Sequence, residues 1–288
     1  MTKKNTDDTR RIWLRAILRQ RGIVLGGTIL VVIALAALIG PVFSPYSPNE
    51  LTSGFLQAPS KVHWFGTDNF GRDVFVRSLL GTRMSLAIGL ATTIFSSILG
   101  TVIGLTAGLF RRSDYLLMGV MDVIMAFPAL LLAMAVLAAM GRTVANVIVA
   151  LGLVYTPRTA RIVRASTLSV REETYIEAAR ALGLPWWRIL LRHVLPNVFA
   201  PLIVQGTFVF AYGVLAEAGL SFIGVGIQPP TPSLGNILGD ARAIIREAPW
   251  MTFFPGGIIF AMVMAINLMG DGLRETLDPR LRRMFKGG

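Results

Sequence analysis

Long charge-free apolar stretches alternate along this chain with short polar, arginine-rich ones. Residues 22–43, 84–110, 193–216 and 248–270 each reach the ~20 residues that carry an α-helix across the hydrocarbon core of a bilayer. Residues 115–141 form an equally long run that contains Asp122. A shorter run, 143–157, spans only by continuing past Arg158 towards Val163. The pattern therefore predicts six spans. Lipid offers no partner to open backbone groups, so each span must be helical and the fold class is an all-α polytopic membrane bundle.

The polar segments give the bundle its organisation. Residues 44–83 form a long outer segment with Pro45, Pro48 and Pro59, far beyond the usual ~4–6 residues of a connector. Arg111, Arg112, Ser113 and Asp114 read as a tight basic turn, 158–192 as an inner loop, and 224–251 as a Pro- and Gly-rich outer segment. The predicted units are an arm, first helix and outer loop (1–81), the main membrane domain (82–271) and a tail (272–288). Gly100, Gly104 and Gly108 make a doubled small-xxx-small ridge for close helix approach, within the bundle or at a subunit seam.

Composition and charge sharpen this picture. The chain has 288 residues, of which 53% are hydrophobic and 15% charged, too apolar for an ordinary soluble domain. Its formal charge of +12 could suggest nucleic acid, but the basic residues are sorted by side. With the N-terminus inside, 21 of the 28 fall in inner segments and 7 in outer ones, the positive-inside bias of a membrane protein. Nucleic acid is thus not an expected partner, and membrane lipid is. Arg10 and Arg11 before an apolar run resemble a secretion signal, yet that run of 22 residues exceeds the ~7–15 of a signal core. The first helix is expected to be retained. With no cysteine in the chain, disulfides and thiolate metal sites are excluded.

The candidate chemistry lies in the 158–192 segment. Ser169 and Glu172 fit a capping box, which predicts a helix from about Val170. Tyr175, Ala178, Ala179 and Leu182 then recur at i, i+3, i+4 and i+7 as one apolar stripe. Gly183 is suited to end that helix, Pro185 blocks its continuation, and a second helix over about 186–194 carries Trp187, Leu190 and Leu191 back to Pro196. Glu177 adds a charge at the edge of the alanine surface. The stripe alone fits a helix lying on lipid or one seated on a protein partner.

Glu177, Ala178, Ala179 and Gly183, followed by Leu195 and Pro196 at the fixed later spacing, resemble the EAA loop of bacterial ABC importer permeases. His193 replaces the usual Ile, in the form HVLPN similar to the peptide-importer branch. HWFGTDNFGRD at 63–73 and GTRMS at 81–85 resemble the outer loop and second-span start of dipeptide, oligopeptide and nickel permeases. EAGLSFIG at 217–224, QPPTPSLG at 228–235, NLMGDGLR at 267–274 and LDPRL at 277–281 extend the likeness, with Leu234 where that branch usually has Trp. Together they resemble the second, C-type permease of such importers.

This resemblance implies a type I ABC importer permease fold in the bacterial inner membrane, and the sorting of basic residues with an even number of spans predicts both termini in the cytoplasm. It implies as partners a second homologous permease, two cytoplasmic ABC ATPases and an external solute-binding protein. Tyr175, Glu177, Ala178, Ala179, Leu182 and Gly183 would form the ATPase-coupling site. No cofactor is expected in this chain, ATP and Mg belonging to the partner ATPases.

Asp122 and Glu217 are the acids inside the predicted spans or at their edge. A carboxylate at the bilayer centre costs at least ~2.5 kcal/mol, so each either lines a path or gate, or locks the bundle by hydrogen bonds. The sequence has no Gly-x4-Gly-Lys-Ser/Thr phosphate loop, only two histidines, and no spacing that assembles a nucleophile with its base. The expected protein is a transporter subunit and not an enzyme. An ion-coupled carrier using Asp122 or Glu217 as relay, or a membrane scaffold, are the alternatives.

Overall fold

The computed structural model describes residues 20–51 and 54–277. The basic arm ahead of Gln20 and the motif that runs on from Leu277 lie outside or at the limit of the described residues. Among the described residues the structure is helical, with one isolated bridge between Thr67 and Asp73. We number the helices α1 (Arg21–Phe43), α2 (Val74–Leu109), α3 (Arg111–Ala126), α4 (Ala129–Met140), α5 (Val144–Arg171), α6 (Thr174–Ala181), α7 (Trp186–Ile189), α8 (Leu195–Phe222), α9 (Leu234–Ala241) and α10 (Trp250–Leu277). A π-turn, Leu190–Val194, joins α7 to α8.

Four helical stretches are long and apolar enough to cross a membrane, and five if the bent pair α3–α4 counts as one. The sixth expected span, over 143–163, lies within the arginine-bearing α5, which falls short of that apolarity. The run 115–141 is not one straight span: α3 and α4 meet at 97°. Pro128 has no N–H and biases Phe127 to extended backbone (φ −90°, ψ 143°), which ends α3 there. The expected basic turn at 111–114 is instead the first turn of α3, and the chain breaks only at Phe110. The expected inner loop likewise starts late, because α5 runs unbroken from Val144 to Arg171. Arg158, Arg161 and Arg164 lie in its inner half, which lowers its apolarity.

The core explains why α5 continues so far. The small-residue ridge of α2 receives it along its whole inner half. A Cβ on Gly100 would come within 2.8 Å of Thr159, one on Gly104 within 2.7 Å of Val163, and one on Gly108 within 2.6 Å of Thr167. Only backbone fits these gaps, so α2 and α5 pack at close range within one chain. That contact, and not a subunit seam, is what the ridge serves. The central core adds Ile88, Leu137, Leu151, Val209 and Leu220, all buried.

The outer end is covered by folded loops. Asp73 caps α2 by accepting from the Val76 N–H at 3.0 Å and pairs with His63 at 2.8 Å. Asp68 accepts from the Phe70 and Arg72 N–H groups and from Arg72 Nε, which turns the segment without a disulfide. Phe65 stacks on Phe254 of α10 at 3.9 Å between centroids. The segment thus packs over the bundle, and its last part, from Val74, already belongs to α2. The expected 81/82 boundary falls inside that helix. Helix α9 closes the same end, started by a capping box between Ser233 and Asn236. Burial pushes the Asp240 carboxyl of α9 above its ordinary range, opposed by nearby Arg72.

Candidate functional site

The polar segment between α5 and α8 folds back as two short helices. The expected capping box does not form. Ser169 is still inside α5, Glu172 is its C-cap, and Glu173 stands at the N-cap of α6. Packing of Val163 and Thr167 into the α2 ridge holds α5 helical past the point where local capping would have begun a new element.

Helix α6 then presents two distinct faces. Ile176 (0% exposed) and Ala179 (8%) turn inwards, where they join Val163, Ile189, Val194 and Val198 in one apolar cluster. Tyr175, Glu177, Ala178 and Leu182 face outwards, Leu182 with 81% exposure. The expected single stripe is therefore split: Ala179 leaves it for the core, and Ile176 takes the central buried place. In the second half of the loop Ile189 is buried while Trp187 and Leu191 are exposed.

Gly183 ends this unit as expected. It adopts φ +74°, and the N–H of Leu184 donates back to the Ala179 carbonyl at 3.1 Å. Nothing lies within 4 Å of a Cβ built there, so its requirement is conformational and not steric. Pro185 then serves as N-cap of α7. Arg180 lies over the Trp186 ring at 4.3 Å, which ties the two halves of the loop. His193 stands 5.9 Å from the Tyr175 ring between centroids, and its carbonyl accepts from Asn197 at 2.6 Å.

The two intramembrane acids part company. Glu217 of α8 is fully buried and accepts from Ser85 of α2 at 2.6 Å and from Ser221 at 2.9 Å, with Ser233 a third hydroxyl neighbour. Asp122 of α3 has an exposed side chain and pairs with Arg161 of α5 at 2.5 Å. Arg164 and Asp114 form a second pair between the same helices. These pairs flank an open cleft of about 910 Å³, lined also by Tyr115, Met118 and Gly119. The sequence reading missed both arginines because it assigned them to a loop. Their spacing of three with Arg158 on a run that continues α5 was the available signal. Among the described residues no cluster of His, Cys, Asp or Glu could hold a metal ion.

Residues 75–283 match the family described as binding-protein-dependent transport system inner membrane component. Residues 9–59 match the N-terminal TM domain of oligopeptide transport permease C. A putative peptide transport system permease protein of Brucella suis biovar 1 is 49% identical over 269 residues, covering 93% of this chain and 91% of that protein. The dipeptide transport system permease protein DppC of Alkalihalophilus pseudofirmus is 42% identical, covering 90% and 86%. The glutathione transport system permease protein GsiD of Pectobacterium atrosepticum is 40% identical, covering 95% and 91%.

Such a system implies ATPase, binding-protein and companion-permease partners, and it removes the ion-coupled carrier and the scaffold as readings. The split loop and the folded outer end are thus features of a multi-pass inner-membrane subunit that is not itself catalytic. The chain belongs to the binding-protein-dependent transport system inner membrane components, as a C-type permease of an ABC importer.

Proposed function

We propose that this permease forms half of a translocation path for peptides or peptide-like solutes such as glutathione. A homologous companion permease supplies the other half, and two ATPases carrying ATP and Mg drive the pair. Three named relatives that transport peptides, dipeptides or glutathione support that cargo class. The chain crosses the membrane six times, with the bent α3–α4 pair as one crossing and arginine-bearing α5 as another. Both termini are then cytoplasmic, in line with the sorting of basic residues.

The observation that carries the coupling role is the two-faced α6. Ile176 and Ala179 fasten it to the bundle, while Tyr175, Glu177, Ala178 and Leu182 stay free for a partner. A force on the outer face is transmitted through Val163, Val194 and Val198 to α5 and α8. ATPase closure would bias the path between inward- and outward-facing states by binding one of them better. Asp122 lines the path, and Glu217 locks helices together.

The test compares Glu177→Lys and Gly183→Val with wild type in the purified complex, by ATPase co-purification, cargo-stimulated ATP hydrolysis and uptake. Reversed charge at an interface costs up to several kcal/mol, and valine at positive φ costs about 1–2 kcal/mol. Both variants are expected to insert normally and to lose uptake. Normal ATPase association with full transport in both would remove 174–194 as the coupling element.

A further inference from the structure

Three arginines follow one another at every third position of α5: Arg158, Arg161 and Arg164. Helix α3 supplies an aspartate for two of them, Asp122 for Arg161 and Asp114 for Arg164. It supplies none for the third. Helix α3 ends at Ala126, one turn beyond Asp122, and the chain turns away by 97° into α4. Among the described residues no carboxylate lies within ion-pair distance of Arg158. Its side chain is exposed, and its guanidinium lies 5.5 Å from the centroid of the half-exposed Tyr212 ring on α8.

This charge lies at the surface of the bundle, well along the span from the inner end of α2. The neighbouring Thr159 and Ala160 pack on Gly100, nine residues from the inner end of α2 at Leu109, which is about 14 Å along the helix. The side chain reaches further outwards, since Gly213, next to Tyr212, packs on Gly89 of α2. A cation so placed faces hydrocarbon only at a steep cost. It must face water or a polar occupant. The cleft lined by Asp122, Arg161 and Arg164 begins one turn further along α5, on the side that faces α3, whereas Arg158 lies towards α8.

We propose that Arg158, backed by Tyr212, is a binding site for the carboxylate of cargo in transit. The planar fork of a guanidinium fits a carboxylate with two parallel hydrogen bonds, and among the described residues no acid occupies it. The Tyr212 ring holds the cation from behind by cation–π contact and leaves its N–H edge free. Asp122 of α3, paired with Arg161 one turn along α5 from Arg158, is the nearest acid on that stretch of the bundle and suits the ammonium end of a zwitterionic peptide. This inference rests on the peptide reading of the cargo.

The experiment uses the whole importer in proteoliposomes, with its binding protein, and follows uptake of a dipeptide and of its C-terminal amide at equal occupancy of the binding protein. Arg158→Gln is expected to lower uptake of the free acid about tenfold or more, a charge-assisted hydrogen bond being worth ~1.5–3 kcal/mol. Amide uptake should change less than twofold, and Arg158→Lys should fall between. In a second arm, Arg158→Cys introduces the chain's only thiol. A cationic, water-soluble thiol reagent should modify it, loaded cargo should slow the reaction, and the modified protein should regain its preference for the acid. Equal losses for both peptides, an unchanged acid-to-amide ratio, or a thiol that aqueous reagents do not reach would each overturn the proposal. If the wild-type importer carries neither peptide, the cargo reading falls, and the thiol arm still decides whether position 158 lines an aqueous binding site.

Discussion

Glu217 has no exposed surface and spends both carboxylate oxygens on serine hydroxyls, Ser85 on α2 and Ser221 one turn along its own helix. The same cluster reaches Ser233, the N-cap of α9, so one side chain joins two spans to the outer helix. Removing it strands hydroxyls that cannot reach water, at about 1–3 kcal/mol for each orphaned group. Glu217→Ala is therefore expected to lower the melting temperature of the detergent-purified protein well below that of Glu217→Gln. The amide still accepts from one or two serines and keeps the volume. Equal melting temperatures for the two variants would show that the hydrogen bonds do not hold the helices. Asp122, the other acid, offers a contrast of environment and not of chemistry: its partner is a guanidinium and its surface is open.

At the scale of elements, the close approach of α2 and α5 decides how far α5 extends and where the α6–α7 loop begins. Gly104 is the tightest test, because a side chain there meets both the Ala160 carbonyl and Val163. Gly104→Leu is expected to push the helices apart and to cost about 1–3 kcal/mol or more, read as loss of folded protein in detergent size-exclusion profiles. Gly257→Ala in α10, where a Cβ meets nothing within 4 Å, serves as control and should accumulate like wild type. If Gly104→Leu behaves as the control does, the packing account of α5 is wrong. The short α6 depends on this contact too, since Val163 joins the buried face that holds it.

For the whole molecule the consequence is orientation. The folded segment around His63 and the helix α9 share one end of the bundle, and the α6–α7 loop lies beyond the inner ends of α2 and α5. Lys61 and Glu172 are exposed positions at these two ends, and the chain has no native thiol. Lys61→Cys should be labelled by an impermeant thiol reagent on intact cells, and Glu172→Cys only after permeabilisation. Labelling of the introduced thiol at 172 in sealed cells would reverse the proposed topology.

Amino-acid order alone determined the environment and the family. Apolar runs of bilayer length, the one-sided sorting of arginine and the motif from Glu177 to Pro196 are local properties, and the family match agrees with them. Gly183 was legible for the same reason, since positive φ after a helix is a local demand. Tertiary packing decided the rest. Whether residues 158–171 are loop or helix depended on glycines sixty residues earlier, and no capping signal at Ser169 could compete with that burial. Which side of α6 faces the bundle was set by the apolar cluster that Ile176 joins, because a stripe of alanines and leucine fits either face. The roles of Asp122 and Glu217 separated only once their neighbours were in place: charge in a membrane takes its meaning from what stands opposite it, and sequence distance does not record that.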